Sequence, residues 1–410
     1  MFHLSRLAVR PVCLALLLGA LVMACHRRRP MPALPVEPQL PPPEGAVVPP
    51  PGPPPPGVTA PAPMPATTYR ILATATAQDQ VALIRFKPCQ PEAAPPACGA
   101  QVERTYAVGI HPTDVEGPHG VAVSPDGRAF YVSMAHGRPF GRLEKYDIDT
   151  GRRLGAADLG KFPATVDIAP NGAVVYVINF NLDESAMRPP ALSIVGGETM
   201  KETARLGTCR GPHGSRVNSQ GTLHYSTCKM NDLLVEVDAG SSTVRRLFNV
   251  TRGSEGAVAP AAVTGTSEIC GPTWAQPSSD GARVYVACHR SGEIVEVDVA
   301  SWSLVKRWQT PPAPFALAVT PDGKLLVATQ QGPGTITIWR LSDGTRLAEL
   351  PGTHAGASDV ATSRDSRFAF VTLEGIGDEP GTIDIIDLKT WRTVATVEVG
   401  KQVGGLALLP

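Results

Sequence analysis

The chain is predicted to fold as an all-β, seven-bladed β-propeller of four-stranded antiparallel blades, and two observations carry that prediction. The first is one phrase, turn residues followed by a β-rich run, written six times: SPDGRAFYVSM from Ser124, APNGAVVYVIN from Ala169, NSQGTLHYSTC from Asn218, SSDGARVYVAC from Ser278, TPDGKLLVATQ from Thr320 and SRDSRFAFVTL from Ser363. A β-run that recurs every 40 to 60 residues marks a propeller or a solenoid rather than several independent domains. The second is that the two ends of the repeat region complement each other. Three strand-like runs after Tyr69 lack an inner partner, and Gly405 to Leu409 is an inner strand with nothing after it. The last strand is therefore expected to complete the first blade, a closure that leaves only short, protected edges.

The segment before the repeats reads in three parts. Met1 to Ala24 carries Arg6 and Arg10 and then an apolar run from Val12 to Val22, the pattern of a secretory signal too short to span a bilayer. Val22-Met23-Ala24-Cys25 resembles the lipobox of bacterial lipoproteins, which implies lipidation at Cys25 and attachment to a membrane through an N-terminal lipid. An ordinary signal peptide or a short anchor fits the same residues, and Met23 and the run Arg27 to Arg29 depart from the usual pattern. From Pro30 to Ala66 the chain has 17 prolines in 37 residues, so residues 25–66 are read as a lipidated Cys with an extended Pro-rich tether. A low-complexity stretch with no spacing role is the alternative. Residues 67–410 are then the propeller.

Within the repeats, the unit that is complete by itself places an inner strand at Val121 to Ser124, a second at Ala129 to Met134, a third at Arg142 to Asp149 and an outer one at Arg153 to Leu159, with Asp126-Gly127 and Asp149 to Gly151 as turns. Later units start near Thr165, Ser215, Thr273, Ala316 and Ser358. The first blade draws on Tyr69 to Thr76, Gln80 to Lys87 and Gln101 to Val108. The phrase itself, a small polar residue, Asp or Asn, Gly and then Tyr-Val, is similar to the YVTN-type β-propeller repeat and to the related lactonase-like and cytochrome d1-like propellers. Tyr131-Val132-Ser133-Met134 and Tyr176-Val177-Ile178-Asn179 are the closest copies, and the resemblance extends from about Tyr69 to Pro410. It is specific for the fold and weak for activity, because one scaffold hosts many activities.

Six cysteines fall in the repeat region. Cys209 and Cys270 precede inner strands, and Cys228 and Cys288 end the second strands of the same blades. In antiparallel neighbours the start of one strand faces the end of the other, so Cys209–Cys228 and Cys270–Cys288 are expected disulfides. Cys89 and Cys98 flank a Pro-rich insertion that a third bridge would pin. Three local bridges agree with export to an oxidising compartment at the cell envelope, on the periplasmic face or the cell surface. No Cys-x-x-Cys-His occurs, which disfavours covalent haem.

The charges bound the partners. Lys plus Arg and Asp plus Glu are 37 each, so no basic excess exists to neutralise a phosphate backbone, and nucleic acid is excluded as the expected partner. Of seven histidines in the repeat region, His111, His119, His136, His213, His289 and His354 map to the loops of one propeller face, and His224 lies in a strand. His119 and His213 belong to a repeated Gly-Pro-His-Gly, at Gly117 to Gly120 and Gly211 to Gly214; Gly271-Pro272-Thr273-Trp274 fills the same slot in another blade. Such a His is held near the axis as a proton acceptor, donor or metal ligand, or it is a structural cap on a strand end.

Arg138, Lys229, Arg290, Asp183, Glu184, Glu374, Asp378 and Glu379 share that face. Imidazoles with both charge signs suit a small polar ligand or an envelope protein partner. The expected ligand-binding set is His119, His213, His289, His136, His354, Arg138, Lys229 and Arg290. No cofactor is expected. Copper or zinc at His119, His213 and His289, and calcium in the loop from Glu374 to Gly381, are the alternatives, the acidic loop being read as solvated. No nucleophile elbow, paired-carboxylate spacing, His-Glu-x-x-His, phosphate loop or dinucleotide fingerprint is present. The leading expectation is a non-catalytic, membrane-tethered binder; a metal-dependent or lactonase-like hydrolase on the same face and a scaffold subunit of an envelope complex are the alternatives.

Overall fold

The structure, a computed structural model, describes residues 68–89, 98–111, 113–138, 140–180, 190–260 and 265–410. The signal segment, Cys25, the whole of the tether, Asp183 and Glu184 lie outside the described residues. The described strands form seven antiparallel sheets, here numbered as blades 1 to 7 in chain order. In every blade the innermost strand is followed outward by a second, a third and an outer strand.

The repeated phrase has a local cause. Ser124 Oγ donates to Asp126 Oδ1 at 2.6 Å and accepts the Ala129 N–H at 2.9 Å, so one hydroxyl ties the turn to the first residue of the second strand. Gly127 supplies the left-handed residue between them, at φ +71°. The same hydroxyl-to-carboxylate bond recurs at Ser278–Asp280, Thr320–Asp322 and Ser363–Asp365. Beyond the turn the second strands are packed on both sides by neighbouring sheets, and Ala129–Met134 is buried at every position. That double burial explains why these strands read as continuous apolar runs rather than alternating ones. Outer strands such as Arg153–Asp158 face solvent on one side and alternate accordingly.

The inner strands are Val403–Leu408 in blade 1, then Pro118–Val123, Pro163–Ile168, Pro212–Val217, Pro272–Pro277, Pro314–Val319 and Ala357–Thr362 in blades 2 to 7. They begin one to three residues earlier than expected from the sequence; in blades 2 to 6 the first residue is Pro, which has no N–H to give a ladder and is tolerated at the start of a strand. The expected closure is observed. Leu406, Ala407 and Leu408 pair with Ala73, Leu72 and Ile71, and the Leu409 N–H donates to Arg70 O at 2.9 Å. Blade 4 carries one strand more than expected, Gly256–Val258, paired along Leu247 to Asn249.

All three expected disulfides are present: Cys89–Cys98, Cys209–Cys228 and Cys270–Cys288. In the latter two blades the ladder sets Pro212 opposite Cys228 and Pro272 opposite Cys288, which brings the cysteine just ahead of the inner strand within bridging distance. Chain entry and exit lie on the face of the repeated turns. Tyr69 Oη donates to Asp365 in the blade 7 turn, and the Pro410 ring lies against Gly127 in the blade 2 turn. The histidine-bearing loops are on the opposite face.

Candidate functional site

Where each inner strand begins, seven equivalent residues stand around the axis: Gly404, His119, Ala164, His213, Thr273, Phe315 and Ser358. The residue preceding each strand is left-handed in all seven blades. Gly117, Gly211, Gly271 and Gly356 fill four of those places, and Phe162, Ala313 and Gln402 fill the others at φ +49°, +58° and +54°. Gly-Pro-His-Gly can therefore be read residue by residue. The first Gly makes the left-handed turn, and Pro starts the strand. The second Gly lets neighbouring strands approach: a Cβ on Gly120 would lie 2.8 Å from Ala164 O, and one on Gly214 would meet Thr273 O and the Trp274 ring.

The His of the phrase is a strut between blades. His119 Nδ1 lies 2.8 Å from Ala164 O, and His213 Nδ1 lies 2.7 Å from Thr273 O. Elsewhere hydroxyls make the equivalent bond. Thr273 Oγ1 donates to Phe315 O at 2.8 Å, Thr372 Oγ1 to Gly404 O at 2.9 Å, and Thr74 Oγ1 to His119 O at 3.0 Å. Thr273 occupies the same slot as His213 and makes the same kind of bond, so the strut alone does not require imidazole. What imidazole adds is a second ring nitrogen. A carbonyl only accepts, so Nδ1 carries the proton, and in a neutral ring Nε2 is left with a free lone pair.

The rings are held neutral. Burial, then the Lys229 ammonium, pushes the His213 imidazole down from 6.5 to about 3. Burial and the neighbouring His136 lower His119, and burial with Lys229 and Arg290 lowers His289. Both strut histidines are surrounded by protein yet remain half-buried, as expected of rings lining a channel. Lys229 is itself lowered, by burial and then by Arg290, against the opposing effect of Glu268. Arg290 Nη2 pairs with Glu268 Oε2 at 2.6 Å. The Gln331 side chain bonds His289, and its Nε2 donates to Glu374 Oε1 at 3.4 Å; burial raises the Glu374 carboxyl.

The mouth thus brings together His119, His213, His289, Lys229 and Arg290 from the expected set. His136 joins them through Phe162, its ring centroid 5.2 Å from that of the Phe. Arg138 stands beside the mouth, where it lines a cavity of about 250 Å³ with His111, Asp114, Glu116 and His136. His354 stands apart, its Nδ1 3.8 Å from Glu379 Oε2. His224, at the second strand of blade 4, is fully buried and stacks on Tyr176 at 4.8 Å. Asp378 pairs with Lys401 at 2.7 Å. Among the described residues, no group of three or more His, Cys, Asp or Glu side chains is arranged to hold a metal ion.

Phenylalanines, which the sequence did not single out, also line the mouth. Phe162 contacts His119 at 5.4 Å and Phe180 at 6.2 Å; Phe180 contacts His213 at 5.4 Å; Phe315 contacts His213 at 5.5 Å and His289 at 6.2 Å, all edge to face. A left-handed Phe costs about 1–2 kcal/mol that a Gly would not. A signal for two of the rings was present in the sequence. Phe162-Pro163-Ala164 and Ala313-Pro314-Phe315 occupy the frame of Gly211-Pro212-His213.

A closed ring of seven blades with one imidazole-lined opening defines the class of protein. The chain belongs to the lactonase family of 7-bladed β-propellers, whose model matches residues 109–349. Among solved structures it is similar to a putative 6-phosphogluconolactonase from Bacteroides uniformis, at 15% identity and a TM-score of 0.61, covering 83% of this chain and 99% of that one. It is also similar to the hydrazine synthase of Kuenenia stuttgartiensis, at 18% identity and a TM-score of 0.45, covering 69% of this chain and 99% of that one. A search of the curated proteins finds no match.

Proposed function

We propose that the protein is a hydrolase that opens a small cyclic ester at the His-lined mouth, with His213 as general base. One observation carries the reading: His213 makes a bond that Thr273 makes without imidazole, and its ring is kept neutral with Nε2 unprotonated beside a cation. Family membership supports the same reaction class. Water attacks the lactone carbonyl while His213 Nε2 takes one of its protons. The tetrahedral oxyanion is stabilised by the Lys229 ammonium, with Arg290 adding positive potential. Collapse breaks the ring C–O bond, and the imidazolium returns its proton to the leaving alkoxide. The product is a hydroxy acid. A free Nε2 would serve a non-catalytic binder as well, and the lactonase family model is what favours hydrolysis over binding alone. Titrating acid release from γ- and δ-lactones tests it: catalysed opening is expected, and a wild-type protein that opens no lactone or ester returns the mouth to ligand binding alone.

The same proposal includes export and anchoring through a lipid on Cys25. The three disulfides support an oxidising compartment. A Cys25→Ala chain is expected to leave the membrane fraction and keep a normal melting temperature; its retention in membranes would refute lipidation.

A further inference from the structure

Seven rings run in sequence around the mouth from blade 2 to blade 5 and across to blade 6: His136, His119, Phe162, Phe180, His213, Phe315 and His289, each within 6.2 Å of another. We propose that this aromatic crescent recognises a flat ring on the ligand, so that the mouth selects aryl-bearing carboxylates and acyl compounds over aliphatic ones of the same charge. The proposal rests on the mouth being the ligand site, and it deepens the hydrolase reading by naming the substrate class.

Three observations carry it. The first is position: Phe315 stands in the same circle of seven residues as His119 and His213, at the opening and not in a blade interior. Second, Phe162 and Phe315 are only half-buried. Packing is served at the equivalent places by Gly, Ala, Ser and Thr, so filling the ring does not demand phenyl groups there. Third, Phe162 holds a left-handed backbone at φ +49° in a slot that is Gly in four other blades. A bulky residue kept in an unfavourable conformation, where an unstrained one serves elsewhere, marks a side chain selected for what it touches.

The rings meet edge to face, an arrangement that a further aromatic ring can extend. Lys229 and Arg290 beside His213 and His289 supply positive charge for a carboxylate or acyl oxygen at the same opening. Both halves of an aryl carboxylate are thereby matched.

Calorimetric binding of 3-phenylpropanoate and hexanoate to the full chain tests this, since the two share the carboxylate and differ in the ring. The wild type is expected to bind 3-phenylpropanoate about tenfold more tightly, the preference one to two aromatic contacts provide. Phe315→Leu, which keeps apolar volume, and Phe162→Gly, which relieves the left-handed backbone, are each expected to reduce that preference several-fold without lowering the melting temperature. Equal affinities in the wild type, no binding of either probe, or a preference intact in both variants would overturn the crescent. Turnover of aliphatic δ-valerolactone by the wild type reports separately on the hydrolase reading, so either idea can fail without the other.

Discussion

His213→Asn is expected to lower kcat/KM for lactone opening by about 10²-fold, the low end of what a positioned general base contributes, because burial and Lys229 weaken this ring as a proton acceptor, while the melting temperature stays close to that of the wild type. Asn is the informative substitution because its amide N–H₂ sits near the place of Nδ1 and can still donate to Thr273 O, 2.7 Å from that nitrogen in the structure. The strut is kept and Nε2 is lost. His213→Gln puts its amide near Nε2 and gives up the strut, so it is expected to lose stability as well as rate. The pH profile follows from the charges. Activity requires neutral His213, so kcat/KM is flat above the depressed value of about 3 and falls only in strong acid, with no inflection near 6.5. Lys229 must stay protonated to stabilise the oxyanion, and its lowered affinity for the proton brings the alkaline limb below that of an ordinary lysine. If His213→Asn turned over at the wild-type rate, His213 would be a strut and nothing more.

Deleting residues 403–410 is expected to abolish cooperative folding. Val403 and Leu406 are buried, and the strand covers Ile71, Leu72 and Ala73, which have no solvent exposure. Burying side chains of this kind is worth roughly 1.5–3 kcal/mol each, and the pairing along Ile71 to Ala73 adds about 1 kcal/mol per hydrogen bond. The sum, about 5–10 kcal/mol, is comparable to the whole stability of a typical domain. The deletion also bares the edge of Tyr69–Ala75, a flat apolar template for aggregation. Size-exclusion chromatography and a thermal melt check it. A soluble, monomeric truncated chain with an unchanged transition would mean that the last strand does not hold the ring shut.

The architecture was legible because its causes are local and repeated. Ser124, Asp126 and Gly127 fix one turn by a hydroxyl, a carboxylate and a left-handed residue, and the phrase recurs because the same small problem is solved in blade after blade. Cys209–Cys228 and Cys270–Cys288 followed from antiparallel geometry, and Cys89–Cys98 from the Pro-rich insertion that it flanks. Strand starts were harder, since Pro118, Pro163 and Pro212 read as breakers until it is seen that a first residue needs no N–H. The extra strand Gly256–Val258 is too short to carry a period, and it lies beside Arg307, whose guanidinium holds Glu255 at 2.6 Å from another blade. In the site, the two strut histidines announced themselves by repetition, and Thr273 in the same frame already held the comparison that gives them meaning. Phe162 and Phe315 were marked only by their place in the frame of Gly211-Pro212-His213 and Phe180 not at all, because an aromatic side chain in an apolar sequence reads as core, and the half-exposure of Phe162 and Phe315 at the mouth is decided by seven strands converging from distant parts of the chain.

The most direct test of the account is the protonation state of one ring. In long-range ¹H–¹⁵N spectra of the full chain, with His213→Asn used for assignment, His213 is expected to show a protonated Nδ1 and an unprotonated Nε2 at neutral pH, with no titration near 6.5 as the pH is lowered. A ring that titrates near 6.5, or one that carries its proton on Nε2, would contradict a neutral base locked by the Thr273 carbonyl.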